Sequence, residues 1–171
     1  MTTYPYFREV QKFRQWWLWI LVIISSAPIW YITIIQLFFN KHLGKEQMPT
    51  VLLIVFFILI GILLPLFIFK VKLITEVRED GIYVRFFPFH FSFQRIPFED
   101  LKDFHIRTYR PIVEYGGWGV RYGASGKAYN VSGNQGLQLE FKNGKRLLIG
   151  TQSPEQLISV VRSVAYRWIE K

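Results

Sequence analysis

Cysteine is absent from the 171 residues, which removes disulfides, thiolate nucleophiles and cysteine-ligated metal sites and leaves the redox compartment unreadable. Histidine is scarce: His42, His90 and His105 stand apart, at none of the clustered spacings a metal ion needs. No Gly-x-Ser-x-Gly elbow accompanies the serines, so a nucleophile on a strained strand-to-helix turn is not expected. Gly123–Lys127 faintly resembles a phosphate loop, but Arg121 stands where that loop needs its first glycine and Ala128 where Ser or Thr must follow the lysine. Glu99, Asp100 and Asp103 form an acidic group before a strand-like run and read as solvated turn carboxylates. Asn130-Val131-Ser132 fits a glycosylation sequon, which a cytoplasmic domain would not use. These absences leave no catalytic residue, metal or cofactor to expect, and the chain reads as non-catalytic.

Charge is missing in a more informative way. Neither Trp16–Phe39 nor Val51–Phe69 contains Lys, Arg, Asp, Glu or His. A helix rises about 1.5 Å per residue, so roughly 20 apolar residues cross a hydrocarbon core near 30 Å thick. Backbone groups in that core find no water, and a lone segment there satisfies them only as a helix. The two runs, separated by the polar link Asn40–Thr50, predict a transmembrane helical hairpin. A signal peptide is the competing reading of the first run, but its apolar region would be shorter and followed by small residues; here Asn40-Lys41-His42 follows and a second span comes soon after. Pro28, after Ser25-Ser26, predicts a kink whose freed carbonyl a serine hydroxyl meets. Pro65 reads the same way.

What remains is basic and aromatic. The net charge is +9, which suits an anionic leaflet. Nucleic acid, the other usual partner of a basic chain, is not expected, because the cations are scattered singly among acids and strand residues. Residues 1–15 mix Tyr4, Tyr6, Phe7 and Phe13 with Arg8, Lys12 and Arg14 and read as an interfacial arm. Trp16, Trp17 and Trp19 supply one side of an aromatic belt, and Lys70 and Lys72 mark the membrane interface where the second run ends. Lys and Arg favour the two outer flanks (Arg8, Lys12, Arg14; Lys70, Lys72, Arg78) over the link (Lys41, Lys45, with Glu46). Both termini and the folded domain are therefore expected in the cytoplasm.

From Leu73 the pattern alternates with period two. Leu73, Thr75 and Val77 precede the turn Glu79-Asp80-Gly81; Ile82, Val84 and Phe86 run to Pro88; Phe89, Phe91 and Phe93 alternate up to Pro97; Phe104, Ile106 and Thr108 lead to Pro111. Leu137, Leu139 and Phe141 run into Asn143-Gly144, a strong hairpin signal, with Arg146–Ile149 returning. Ser153, Pro154 and Gln156 open a final helix, and its stripe Leu157, Val160, Val161, Val164 and Trp168 faces a core. The expected fold class is an α+β membrane protein: an arm (1–15), a helical hairpin (16–72, spans 16–39 and 51–69), and an antiparallel β-barrel or sandwich of about seven strands capped by a C-terminal helix (73–171).

That order resembles the pleckstrin-homology-like (PH-like) domain of bacterial membrane proteins, and in particular an uncharacterised family of small bacterial proteins with a two-helix hairpin before such a domain. The residues that carry the resemblance are Tyr109-Arg110-Pro111, Glu114–Arg121, Gly126–Gly133 and Leu148–Gln152. It implies a fold and an inner-membrane location, and no activity or ligand.

Tyr109–Gly136 departs most from strand alternation. It gathers glycines, among them Gly116, Gly117 and Gly119, around Tyr109, Tyr115, Trp118 and Tyr129, with Arg110, Arg121, Lys127 and Asn130. Glycine allows close backbone approach, aromatic rings give flat contact surfaces, and cations hold phosphate or carboxylate. Three readings stay open: an ordered connection packed over a barrel edge, a protein-contact surface, or a site for a small anion or lipid headgroup. The partners expected are the bilayer, another membrane protein or a second copy, and an anionic lipid. The role that follows is scaffold or accessory subunit of a membrane assembly. The alternative is a sensor of anionic lipid or a small phosphorylated ligand through Arg110, Arg121 and Lys127.

Overall fold

The computed structural model of the chain describes residues 4–39, 49–123 and 125–169. The link residues Asn40 to Met48, with Lys41, His42, Lys45 and Glu46, lie outside the described residues. The architecture is mixed α and β, and it separates into two compact units: Phe13–Lys70, and a β module made of Met1–Lys12 with Val71–Lys171.

The first unit is a pair of apolar helices. Helix α1 runs Trp16–Phe39. Its partner runs Thr50–Lys70 as α2 (Thr50–Phe56), a π-helical stretch (Phe57–Leu63) and α3 (Leu64–Lys70). Both are long and apolar enough to cross a membrane, and only 17% and 11% of their apolar windows are buried within the chain, unlike core helices of a soluble domain. Pro65 accounts for the π stretch. It has no N–H to give to Gly61 in an α pattern or to Ile60 in a π pattern. Donors from α1 take both carbonyls: the Ser26 hydroxyl donates to Ile60 O at 3.0 Å, and the Trp30 indole N–H donates to Gly61 O at 2.9 Å. The serine expected to serve the carbonyl freed by Pro28 thus serves the one freed by Pro65, while Ser25 donates to Val22 O at 2.9 Å. Gly61 is required at the contact, because a Cβ there would stand 2.7 Å from the indole nitrogen of Trp30.

Among the described residues the β module has nine strands, where the alternation predicts about seven. They lie in two sheets that do not close into a barrel. A four-stranded sheet has the order β1 (Phe7–Lys12), β2 (Lys72–Arg78), β3 (Gly81–Phe87), β4 (Gln94–Pro97). The other orders β5 (Leu101–Thr108), β8 (Gln135–Phe141), β9 (Arg146–Gly150), β7 (Gly126–Asn130), β6 (Gly119–Gly123). The pairs are antiparallel except β7 with β9, which are parallel with Lys127 opposite Leu147. Leu73, Val77, Ile82, Val84, Leu137, Leu139 and Ile149 form the core, none of them exposed. Helix α5 (Pro154–Ile169) adds Leu157, Val161 and Ala165 to it and packs on β2 of one sheet and β5 and β8 of the other. The Asn143-Gly144 turn joins β8 to β9 as expected, with Gly144 at φ 80° and Lys145 N donating to Asn143 Oδ1.

Three expectations need correction. Residues 7–12, read as an interfacial arm, are an edge strand pairing along β2 from Phe7 opposite Val77 to Lys12 opposite Lys72. This strand holds the two sheets together. Gln11 Nε2 donates to Gly150 O at 2.7 Å, and the Glu9 carboxylate accepts from the Thr151 hydroxyl at 2.6 Å and from the Gln152 amide at 2.7 Å. The helix pair is therefore inserted between the first two strands of the module. Secondly, Phe89–Phe93 is a turning connection, since β3 ends at Phe87 and pairing resumes at Gln94. Thirdly, Tyr109–Gly136 contains a short helix, α4 (Pro111–Tyr115), and the β6–β7 hairpin.

Candidate functional site

Pro111 can start α4 because the first turn needs no amide donor there. Gly116 ends it at φ 70°, with Gly116 N donating to Ile112 O and Gly117 N to Pro111 O. The helix lies over the outer face of the five-stranded sheet, where Tyr109 and Tyr115 cluster with Ala128 and Leu148, all four at most 3% exposed. The two tyrosine rings meet edge to face at 6.0 Å. Burial pushes both phenols above their ordinary range.

Arg107 on β5 fastens α4 to the sheet. Its Nε donates to Gln138 Oε1 at 2.9 Å, Nη1 to Glu114 Oε2 at 2.8 Å and Nη2 to the Tyr115 hydroxyl at 3.1 Å. Glu114 spends its other oxygen on the Arg110 amide at 2.7 Å. Burial alone would raise the Glu114 carboxyl, but the Arg110 amide and the Arg107 guanidinium hold it below the usual carboxylate range. The hydrogen bonds of this cluster are made within the protein, so its chemistry is to hold α4 in place.

Around it the remaining residues serve the local chain. Asn130, fully buried, accepts from Gly119 N at 2.9 Å through Oδ1. The Trp118 indole donates to Gly133 O at 3.3 Å, and Trp118 O accepts from exposed Arg121 Nε at 3.0 Å. Gly123 and Gly126 close the β6–β7 hairpin, and a Cβ on either would run into the backbone carbonyl of Glu114 or of Arg146. Arg121 pairs with Ala128 across the β6–β7 hairpin, so it stands on the opposite face of the sheet from the adjacent Lys127. Lys127 lies between two rings, 5.5 Å from Tyr122 and 4.6 Å from Tyr129. Burial pulls its ammonium down, and the Tyr129 and Tyr122 phenols outweigh that and hold it above its ordinary value.

Lys127 instead joins Lys145 and Arg146 around an open hollow of about 640 Å³ floored by Gly123, Gly126 and Gly144. A smaller recess beside it is lined by His105, Arg107, Gln138, Glu140 and again Arg146. Lys145 and Arg146 were not among the candidates, because only the parallel pairing of β7 with β9 brings them to Lys127. Arg146 leans toward Glu140 at 3.4 Å. Among the described residues no three His, Asp or Glu side chains gather as metal ligands.

The aromatic and basic markers of the two apolar runs also have definite places. Trp16 and Trp17 stand exposed at the start of α1, and the Trp19 indole donates to Phe13 O at 3.3 Å. Lys70 ends α3, and Lys72 opens β2. One family model, described as a family of unknown function (DUF6141), matches residues 2–167. No curated protein and no solved structure matches the chain.

Proposed function

Because this chain belongs to the family of unknown function DUF6141, kinship supplies no activity, and we propose its role from its own residues. It is a two-pass protein of the bacterial inner membrane. It presents a PH-like module at the cytoplasmic face, as scaffold or accessory subunit of a membrane protein assembly. The observation that carries this reading is the second helix: 21 residues, Lys70 its only charge, and 11% of its apolar window buried. Such a surface needs lipid or protein around it. Two sheets followed by a helix packed against both support the PH-like assignment. In Tyr109–Gly136 the Glu114 carboxylate, the Trp118 indole and Asn130 Oδ1 make internal bonds, while Ile112, Val113 and Tyr122 are 67%, 77% and 75% exposed, which suits contact with a protein.

Purification in mild detergent after cross-linking tests the role: a stoichiometric partner or a self-assembly is expected, and a clean monomer counts against it. Protease added to sealed, right-side-out cells tests the sidedness. The module is expected to survive until the membrane is opened.

The hollow of Lys127, Lys145 and Arg146 favours a second reading, a sensor of an anionic headgroup or a small phosphorylated ligand. Pyrophosphate would then raise the melting temperature of the detergent-solubilised chain by mass action. Lys127→Gln with Arg146→Gln would abolish that rise. No rise in the unaltered chain removes this reading.

A further inference from the structure

The connection between β3 and β4, Pro88 to Phe93, holds no acid and three phenylalanines. It is ordered from inside. His90 turns in, its ring edge-on to Tyr129 at 5.4 Å and its amide donating to Phe86 O at 2.8 Å. The residues on either side turn out: Phe89 is 62% exposed and Phe91 82%. Their rings lean on the end of the sheet, Phe91 on Phe87 at 6.4 Å and Phe89 on Phe86 at 5.8 Å. A globular surface presenting two phenylalanines side by side on a braced connection has an apolar contact to make.

The register of the sheet says what lies opposite. Phe87 pairs with Lys72 and Lys72 with Lys12, so one end of the four-stranded sheet carries the phenylalanine pair, both lysines and both points where the chain passes to the apolar helices. Only Phe13, Arg14 and Gln15 separate Lys12 from α1, and only Val71 separates Lys72 from the last residue of α3. The Lys72 ammonium sits 5.8 Å over the Phe87 ring. Aromatic rings beside lysines, with no carboxylate among them, match the chemistry of a headgroup layer over acyl chains.

We propose that Phe89 and Phe91 insert into the interfacial layer of the bilayer and form a third membrane attachment, one that fixes the β module against the lipid surface. This rests on the two-pass reading above. The occupant is lipid, because this end of the sheet is tethered through two short connectors to the segments that enter the bilayer. The opposite end, at Glu79, is seven residues along β2. At about 3.3 Å per residue that places it roughly 20 Å away.

The lack of native cysteine allows a direct test on the full chain, reconstituted in vesicles of phosphatidylethanolamine and phosphatidylglycerol. Single variants Phe91→Cys, Ile23→Cys and Glu79→Cys are labelled with an environment-sensitive NBD fluorophore. The label at 91 should be blue-shifted and quenched by a nitroxide lipid labelled just below the headgroup. The label at 23, in α1, should be quenched by deeper nitroxides, and the label at 79 only by aqueous iodide. Iodide quenching at 91, with nitroxide quenching at 23, overturns the insertion and leaves the two-pass reading standing. Shielding of position 91 from both quenchers shows a protein cover and also overturns it. Iodide quenching at 23 removes both. Ser92→Cys, whose side chain is exposed, repeats the test if the Phe91 variant does not reconstitute.

Discussion

His90 turns inward from a connection whose neighbours turn outward, and that orientation has a pH signature. Burial first, and the nearby Lys127 ammonium second, lower its pKa below the ordinary value near 6.5. Tyr129 faces it edge-on. The native ring is thus the neutral one. As pH falls through about 6.5, unfolded chains take up a proton that the native ring refuses, so this residue's contribution to stability is complete above that pH and falls away below it. The melting temperature of the full chain in detergent should drop between neutral pH and pH 5, and part of that drop should vanish in His90→Gln. An identical pH profile in the variant would show that the ring is not the titrating group.

At the scale of elements, the apolar helix pair is organised by one proline. Pro65 withdraws a donor, the helix widens into a π stretch, and Ser26 and Trp30 of α1 take the exposed carbonyls of Ile60 and Gly61. The contact is close because Gly61 has no side chain. Gly61→Ala pushes a methyl against the Trp30 ring and should cost about 1–3 kcal/mol, the usual price of overpacking. Trp30→Phe removes the nearer of the two clashing atoms, the indole nitrogen, but leaves Gly61 O without its donor, a loss of about 0.6 and up to roughly 1.7 kcal/mol for an interhelical hydrogen bond of this kind. Measured by denaturation in mixed micelles, the double variant should cost less than the sum, because the two residues share one contact. Strict additivity would mean that the helices do not meet there.

Elements that announce themselves locally were legible. Asn143-Gly144 sits between two strand-like runs, and Leu157, Val160, Val161, Val164 and Trp168 recur at helical spacing, of which Leu157 and Val161 are buried together with Ala165, which the stripe omits. Strand β1 was not legible. Its inward residues are Phe7, Glu9 and Gln11, and the last two are polar because their partners, Gly150 O, the Gln152 amide and the Thr151 hydroxyl, lie about 140 residues away. No local pattern encodes such a pairing. The β6–β7 hairpin hid for a related reason. Its glycines answer to the carbonyls of Glu114 and Arg146, and in the sequence they look like loop residues. For the same reason the sequence does not show Lys145 and Arg146 coming to the hollow beside Lys127, which the parallel pairing of β7 with β9 produces.

For the molecule as a whole, the insertion of the helix pair between β1 and β2 decides which pieces can fold. A fragment of residues 73–171 looks like the complete module by sequence alternation. It would lack β1, uncover the edge of β2 from Leu73 to Val77, and leave Gly150 O without its donor and the Thr151 hydroxyl without its acceptor. An unpaired edge of that length promotes aggregation, and buried polar groups left unsatisfied cost about 1–3 kcal/mol each. Lys12 and Lys72 are direct partners, so a short Asn-Gly linker in place of residues 13–70 closes β1 and β2 into an ordinary hairpin. The linked chain should unfold cooperatively with its melting temperature raised well above that of 73–171, which should give no sharp transition by circular dichroism. Equal cooperativity in the two pieces would show that β1 is dispensable and that the module ends where the alternation does. With the linked chain folded and 73–171 not, the protein is one β module interrupted by its own apolar helix pair, and each short connector to that pair starts from a strand of the sheet.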